Sequence, residues 1–286
     1  MSGGYPYVAM SDVFQVTGGT PLKGEITISG AKNAASKMMI ASLLTNEQVV
    51  LSNVPRQRET EITLEIIETV GAQVQWRDEN TLVTQTSEIS TTAVRKLSRK
   101  NRISILALAP LLHRAGEAFV PGPGGCPLGP RPVNFHIEIL KQMGAQVENI
   151  DEGYHATVKG RLQGAVIELA YPSVGATETA ILAGVLANGR TTIRNAAGEP
   201  EVKELIMMLQ NMGAIIQVNT GRHIEIIGVE KLHGVRVRVM PDRMEAASYA
   251  CMALGTGGEI LVKEAEQTHM ITFLNAVRKI GGTYEV

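Results

Sequence analysis

Two apolar patterns alternate along the chain. Stretches such as "AKNAASKMMIASLL" and "ATETAILAGVLANG" are small or apolar on nearly every helical face, which marks helices buried all round. In "IIETVGAQVQW", "ILKQMGAQVENI", "MLQNMGAIIQV" and "AVRKIGGTYEV" an amphipathic helix instead ends on a glycine, and a short strand follows. Glycine suits that position because it enters the left-handed conformation without a Cβ clash. The four glycines are Gly71, Gly144, Gly213 and Gly281, separated by 73 (144−71), 69 (213−144) and 68 (281−213) residues. Asn53 in "QVVLSNVP" and Asn195 in "RTTIRNAAGEP" hold similar places two periods apart. "GEITISG" alternates, as a strand wet on one face does.

The pattern predicts an α/β repeat of helix, strand, helix, strand, with "RHIEIIG" among further short strands between units. Its helices are inside and its strands outside, the reverse of a buried parallel sheet clothed by helices. About three repeat units make a stable body. The units ending at Gly71, Gly144 and Gly213 supply one, and a fourth, from about Asp242 to Val286, begins a second domain. Residues 1–18 read as a tail, residues 32–240 as the three-repeat domain, and residues 19–31 plus 241–286 as the partial second domain.

With 27 Lys and Arg against 28 Asp and Glu, the net charge is −1, so the chain lacks the basic surplus of a nucleic-acid binder. The longest apolar run, "ISILALAPLL", is too short to span a bilayer, and "MSGGYPYVAMSD" carries no secretory pattern. Cys126 and Cys251 are 125 residues apart with no CxxC spacing, which argues against a disulfide framework and fits a reducing cytoplasm. No two of the 6 histidines sit at i,i+3 or i,i+4, so a metal site has no support. No GxxxxGK[ST] or GxGxxG fingerprint occurs.

Candidate chemistry gathers in a few places. Pro121 to Gly125 cannot continue a helix or central strand, which puts Cys126 on an irregular, exposed loop, with Arg131 five residues on to favour its thiolate. Cys251, in "ASYACMALG", reads instead as a small buried hydrophobe. In "TISGAKNAAS", Lys32 and Asn33 sit in the first turn of a helix, where amides and a cation converge on an anion; spacing alone fits an ordinary capped helix equally. "SVGATETA" repeats that design at Ser173, Val174 and Gly175. Arg102 heads an apolar helix, and His136 reads as a structural histidine. Asp242 in "VMPDRMEA" is either a helix cap or a hydroxyl acceptor between domains.

Together "SGAKNAA", "NVP", "PGGC" followed by "RPVNFH", "SVGAT", "EPE" and "MPDR" resemble the UDP-N-acetylglucosamine 1-carboxyvinyltransferase family of enolpyruvyl transferases, from about Gly19 onward. The resemblance implies two similar domains, each an inside-out α/β barrel of three units. It implies transfer of the enolpyruvyl group of phosphoenolpyruvate to the 3′-hydroxyl of UDP-N-acetylglucosamine with release of phosphate, in the cytoplasm, without metal or organic cofactor. By resemblance Lys32 binds phosphoenolpyruvate and stabilises the tetrahedral intermediate, and Asn33 positions the sugar nucleotide. Cys126 is the loop nucleophile or general acid, on a lid that closes over the reactants. Arg102 and Arg131 hold anionic groups of the substrates. Ser173, Val174 and Gly175 line the diphosphate site, and Pro132, Val133, Asn134 and His136 lie near the uridine. Glu199 and Asp242 are further substrate contacts.

Two residues depart from the family pattern: Asn134 stands where aspartate is usual, and Tyr171 where lysine is common. Six units would need roughly 420 residues, so the chain reads as a fragment, with inner helices left uncovered and prone to self-association. A truncated or non-catalytic UDP-sugar-binding homologue is the alternative. A shikimate 3-phosphate transferase is a weaker one, because that sister family lacks the cysteine loop.

Overall fold

The computed structural model describes residues 15–99, 101–124, 132–150 and 153–286. After β1 (Lys23–Thr27), the first unit contains α1 (Lys32–Ala41), β2 (Val49–Ser52), α2 (Arg58–Thr69), β3 (Gln73–Trp76) and β4 (Leu82–Gln85). The second contains a 3₁₀ segment, Arg102–Ala107, then α3 (Leu108–Ala115), β5 (Glu117–Pro121), α4 (Asn134–Gln142), β6 (Gln146–Ile150) and β7 (Gly153–Thr157). The third contains β8 (Val166–Glu168), α5 (Val174–Gly184), β9 (Arg190–Arg194), α6 (Pro200–Asn211), β10 (Ile215–Asn219) and β11 (His223–Ile227). Then follow β12 (Val235–Arg238), α7 (Arg243–Thr256), β13 (Glu259–Lys263) and α8 (Ile271–Lys279).

Each unit forms its own small sheet. Within the sheets β2–β4–β3, β5–β7–β6 and β9–β11–β10 every neighbouring pair is antiparallel. Each is extended by a parallel partner from the following or preceding stretch of chain: β12 beside β2, the Ala93 bridge beside Phe119, and β8 beside β9. The strand that leaves the third unit therefore returns to the first and closes the ring. Val49 pairs with Val235, 186 residues away (235−49).

The helices α1, α3 and α5 stand inside this ring. Met38, Met39, Ile40 and Leu43 are at most 1% exposed, and each such side chain contributes about 1.5–3 kcal/mol by leaving water. Strands such as β3 and β12 expose alternate residues, so the sheets face solvent. The inverted arrangement read from the sequence is the one observed. Gly71, Gly144, Gly213 and Gly281 all have positive φ, from 87° to 111°, as the helix-ending role requires.

Asn53 and Asn195 also share one geometry. Each is left-handed, at φ 59° and 55°, and each side-chain amide donates to a carbonyl just past the neighbouring parallel strand, Val239 at 3.0 Å and Leu169 at 2.8 Å. A second, small apolar cluster of Ile28, Ala246 and Met270 lies apart from the main core, beside the parallel pair β1–β13. There the expectation for Cys251 fails. It is exposed, because α7 fully buries only Ala246 and Ala253 and its Cys251 side faces water. Tyr171 is 65% exposed.

Candidate functional site

Where the two clusters meet, the chain crosses over twice in adjacent positions. The Ala31 amide donates to the Met240 carbonyl at 2.7 Å and the Asp242 amide to the Ser29 carbonyl at 2.9 Å. Gly30 bridges to Pro241 between them, and a Cβ on Gly30 would overlap the Asn53 carbonyl oxygen, so only glycine fits. This double crossover starts α1 and α7 side by side. Asp242 caps α7, with Oδ1 accepting from the amides of Met244 (2.8 Å) and Glu245 (3.2 Å). Its Oδ2 accepts from the Lys32 amide at 3.3 Å, and Glu245 Oε2 accepts from the Ser29 amide and hydroxyl, at 2.9 and 2.5 Å.

Beside the crossover is a cleft of about 390 Å³. The helix starts carry its wall: Lys32 and Asn33 of α1, Arg102 at the head of its 3₁₀ segment, Val174 and Gly175 of α5, Glu199 before α6 and Arg243 of α7. His136 joins them from α4. The cleft thus holds four cations, Lys32, Lys37, Arg102 and Arg243, against four carboxyl side chains, Glu59, Glu178, Glu199 and Glu201. Two of the cations are already engaged by carboxylates. Lys32 Nζ lies 3.2 Å from Glu59 Oε2, and Arg243 grips Glu201 with two bonds of 2.9 and 3.1 Å.

His136 is 2% exposed. Its Nδ1 sits 2.6 Å from the Thr179 hydroxyl, and its Nε2 has no partner among the described residues. Burial, with the Arg102 guanidinium nearby, pulls its pKa down to about 3, so the ring is neutral. A Cβ on Gly175 would stand 3.0 Å from the ring's Cε1, so the glycine lets the imidazole lie against the first turn of α5. Glu178, one turn deeper, is 1% exposed, and its Oε1 is likewise unpartnered.

Lys32, Asn33, Arg102, His136, Val174, Gly175 and Glu199, all singled out from the sequence, therefore converge on one cleft. Ser173 caps α5 by accepting from the Ala176 amide at 3.4 Å. Pro132 accepts the Arg102 guanidinium at 2.6 Å, Val133 is buried, and Asn134 opens α4 exposed to solvent. Those three and Asp242 flank the cleft without lining it. Cys126 and Arg131 lie outside the described residues. Lys37, Glu59, Glu178 and Glu201 were not picked out as individual residues. For Lys37 and Glu178 the signal was a charge inside a helix otherwise apolar all round, as in "AASKMMIAS" and "ATETAILAG", whereas Glu59 and Glu201 sit in the first turns of the amphipathic helices α2 and α6, where a carboxylate is ordinary. Among the described residues no group of His, Cys, Asp or Glu is arranged to hold a metal, and no helix is long and apolar enough to cross a membrane.

A family model described as EPSP synthase (3-phosphoshikimate 1-carboxyvinyltransferase) matches residues 16–286. Among curated proteins, the chain is 43% identical to a UDP-N-acetylglucosamine 1-carboxyvinyltransferase of Protochlamydia amoebophila, over 96% of this chain and 61% of the relative. It is 45% identical to one of Granulibacter bethesdensis, over 94% of this chain and 65% of the relative. The chain thus spans less than two thirds of the length of these relatives. Among solved structures, the enolpyruvyl transferase NikO from Streptomyces tendae superposes with a TM-score of 0.71 at 24% identity, covering 82% of this chain and 55% of that one. EPSP synthase from Acinetobacter baumannii gives 0.63 at 19% identity, covering 80% and 52%. At those identities the likeness bears on the fold alone.

Proposed function

Because the chain belongs to the EPSP synthase family of enolpyruvyl transferases, we propose that its cleft serves the transfer of an enolpyruvyl group from phosphoenolpyruvate to the 3′-hydroxyl of UDP-N-acetylglucosamine. The observation that carries this choice of acceptor is the 42–45% identity to relatives named for that reaction, along nearly the whole chain. In the reaction the sugar hydroxyl adds to C2 of phosphoenolpyruvate while C3 takes a proton; phosphate then leaves and C3 returns a proton, which restores the double bond. Lys32 holds the phosphate and carboxylate and offsets charge on the tetrahedral intermediate, having exchanged Glu59 for the substrate. Asn33 orients the sugar nucleotide. The free amides of Val174 and Gly175, at the start of α5, take the diphosphate with Ser173.

Neutral His136, with Pro132, Val133 and Asn134, borders the uridine. Arg102 and Arg131 hold anionic groups, Glu199 and Asp242 approach the sugar, and Cys126 supplies the acid or nucleophile. The reading includes the domain division at residues 32–240 against 19–31 plus 241–286, supported by the separation of the two apolar clusters. It also includes self-association through Met244, Met252, Leu254 and Ile271, which stand exposed on α7 and α8. A cytoplasmic setting and a place in cell-wall precursor synthesis belong to the same proposal, and fosfomycin is the expected alkylating agent at Cys126.

The test is phosphate release from phosphoenolpyruvate by the purified chain, with and without UDP-N-acetylglucosamine. Release that needs the sugar nucleotide and is lost in Lys32→Ala and Cys126→Ala is the expected result. Binding of UDP-N-acetylglucosamine without release identifies a sugar-nucleotide binder. Release with shikimate 3-phosphate instead would refute the choice of acceptor.

A further inference from the structure

Glu178 has no part in the reaction as set out above, yet its position is costly without one. It sits on the inner helix α5 among Ala176, Thr177, Thr179 and Ala180, all buried, and it lines the cleft. One carboxyl oxygen has no partner among the described residues. An orphaned polar atom of this kind destabilises the fold, and more so if charged, unless water or a ligand meets it.

The groups facing it decide its charge. Lys37 of α1 favours the carboxylate, while Glu59 of α2 and Glu199 and Glu201 at the head of α6 oppose it. Arg243, Arg102, Lys32 and His136 complete the ionisable lining. Lys32 is taken by Glu59 and Arg243 by Glu201, and His136 is neutral. From α3, His113 meets α5 farther down, at the Ala183 carbonyl, and it too is neutral. Burial first, then the facing carboxylates, push Glu178 up to about 7. It is therefore poised between acid and anion when the cleft is empty, and any anion entering the cleft tips it to the acid.

We propose that Glu178 is a proton-accepting residue of the ligand cleft: it takes up one proton from solution as a phosphorylated ligand binds, and the resulting acid gives the cleft floor a neutral hydrogen-bonding group. The proton removes a negative charge from the wall as the ligand brings its own. This rests on the functional reading only for the identity of the ligand. Glu59, which loses Lys32 to the ligand, is the rival uptake site, and substitution separates the two.

The experiment is calorimetric titration at pH 7.5 in two buffers of different ionisation enthalpy, which counts protons exchanged. The probes are UDP-N-acetylglucosamine and, in parallel, sulfate, neither of which titrates at that pH. If the ligand raises the Glu178 midpoint by about one unit, uptake is about half a proton per ligand in the unsubstituted chain. It falls to near zero in Glu178→Gln and persists in Glu59→Gln. The ligand affinity of the unsubstituted chain also weakens up to about tenfold more than that of Glu178→Gln between pH 6 and 8.5.

Equal uptake in the unsubstituted chain and Glu178→Gln, or binding without uptake, overturns the proposal. Sulfate binding with Glu178-dependent uptake, but no binding of UDP-N-acetylglucosamine, refutes the substrate while sustaining the role of Glu178. Binding of neither overturns both. Should Glu178→Gln not fold, carboxyl ¹³C titration of the unsubstituted chain decides: a glutamate resonance with a midpoint near neutrality, raised by sulfate, is expected, and ordinary midpoints throughout overturn the proposal.

Discussion

His113→Gln should make the protein more resistant to acid, by an amount that follows from where the ring lies. His113 is on α3, its Nε2 2.8 Å from the Ala183 carbonyl of α5, so Nε2 carries the proton and the ring is neutral. Burial, more than any other cause, pulls its pKa down from 6.5 to about 4. A depressed pKa means that the unfolded chain binds the proton first. The stability of the neutral ring is fully present above pH 6.5 and is lost as pH falls towards 4. Between pH 7 and pH 5 that loss is about 2 kcal/mol.

His136, pulled down to about 3, adds a similar loss. Glu178, pushed up to about 7, has the opposite sign: its stabilising protonation is complete below 4.5 and is lost as pH rises through 7, which returns about 2 kcal/mol on acidification. The unsubstituted chain should therefore lose about 2 kcal/mol net from these three groups on going from pH 7 to pH 5, and His113→Gln almost nothing. Urea unfolding of both proteins at the two pH values reads the difference, in which all other titrating groups cancel. A stability gap between them that is the same at pH 7 and pH 5 would refute a neutral, half-buried His113.

Further substitutions probe the backbone. Gly30→Ala drives a Cβ into the Asn53 carbonyl at the double crossover and should cost about 3 kcal/mol or more, or abolish soluble expression, whereas Gly18→Ala, with open space around it, should leave the melting temperature unchanged. Asn53→Ala and Asn195→Ala each lose a side-chain bond and force alanine into φ near +55°, so each should cost about 1–3 kcal/mol by urea unfolding. Because the two follow strands of different sheets, their effects should add, and a double variant much less destabilised than the sum would refute their independence.

Much of the fold was legible because its signals are local. A glycine after an amphipathic helix is a backbone requirement that shows in the residue itself, and the four positive-φ glycines are the ones the repeat singled out. The all-round apolar helices announced an inner layer for the same reason. The convergence of Lys32, Asn33, Arg102, Val174 and Gly175 was visible only through resemblance, since spacing alone allowed capped helices and solvated cations. What the sequence hid is set by distant partners. Nothing near Val235 says that it pairs with Val49. Cys251 lies in a run that looks like core, but only one side of α7 has a neighbour. Glu178 and Lys37 were not legible as site residues because their meaning depends on three other helices facing them.

The pairing of β12 with β2 also sets the order in which the molecule can assemble. During synthesis the edge of β2 stays without its parallel neighbour until the chain has grown 186 residues beyond it (235−49). At about 5–20 residues per second that interval is about 10–40 s. The second and third units draw their parallel partners from chain made before them, so their sheets are complete as soon as they emerge. The first unit, made earliest, is thus finished last, and its exposed edge is where a nascent chain would be captured by a chaperone or by another copy of itself.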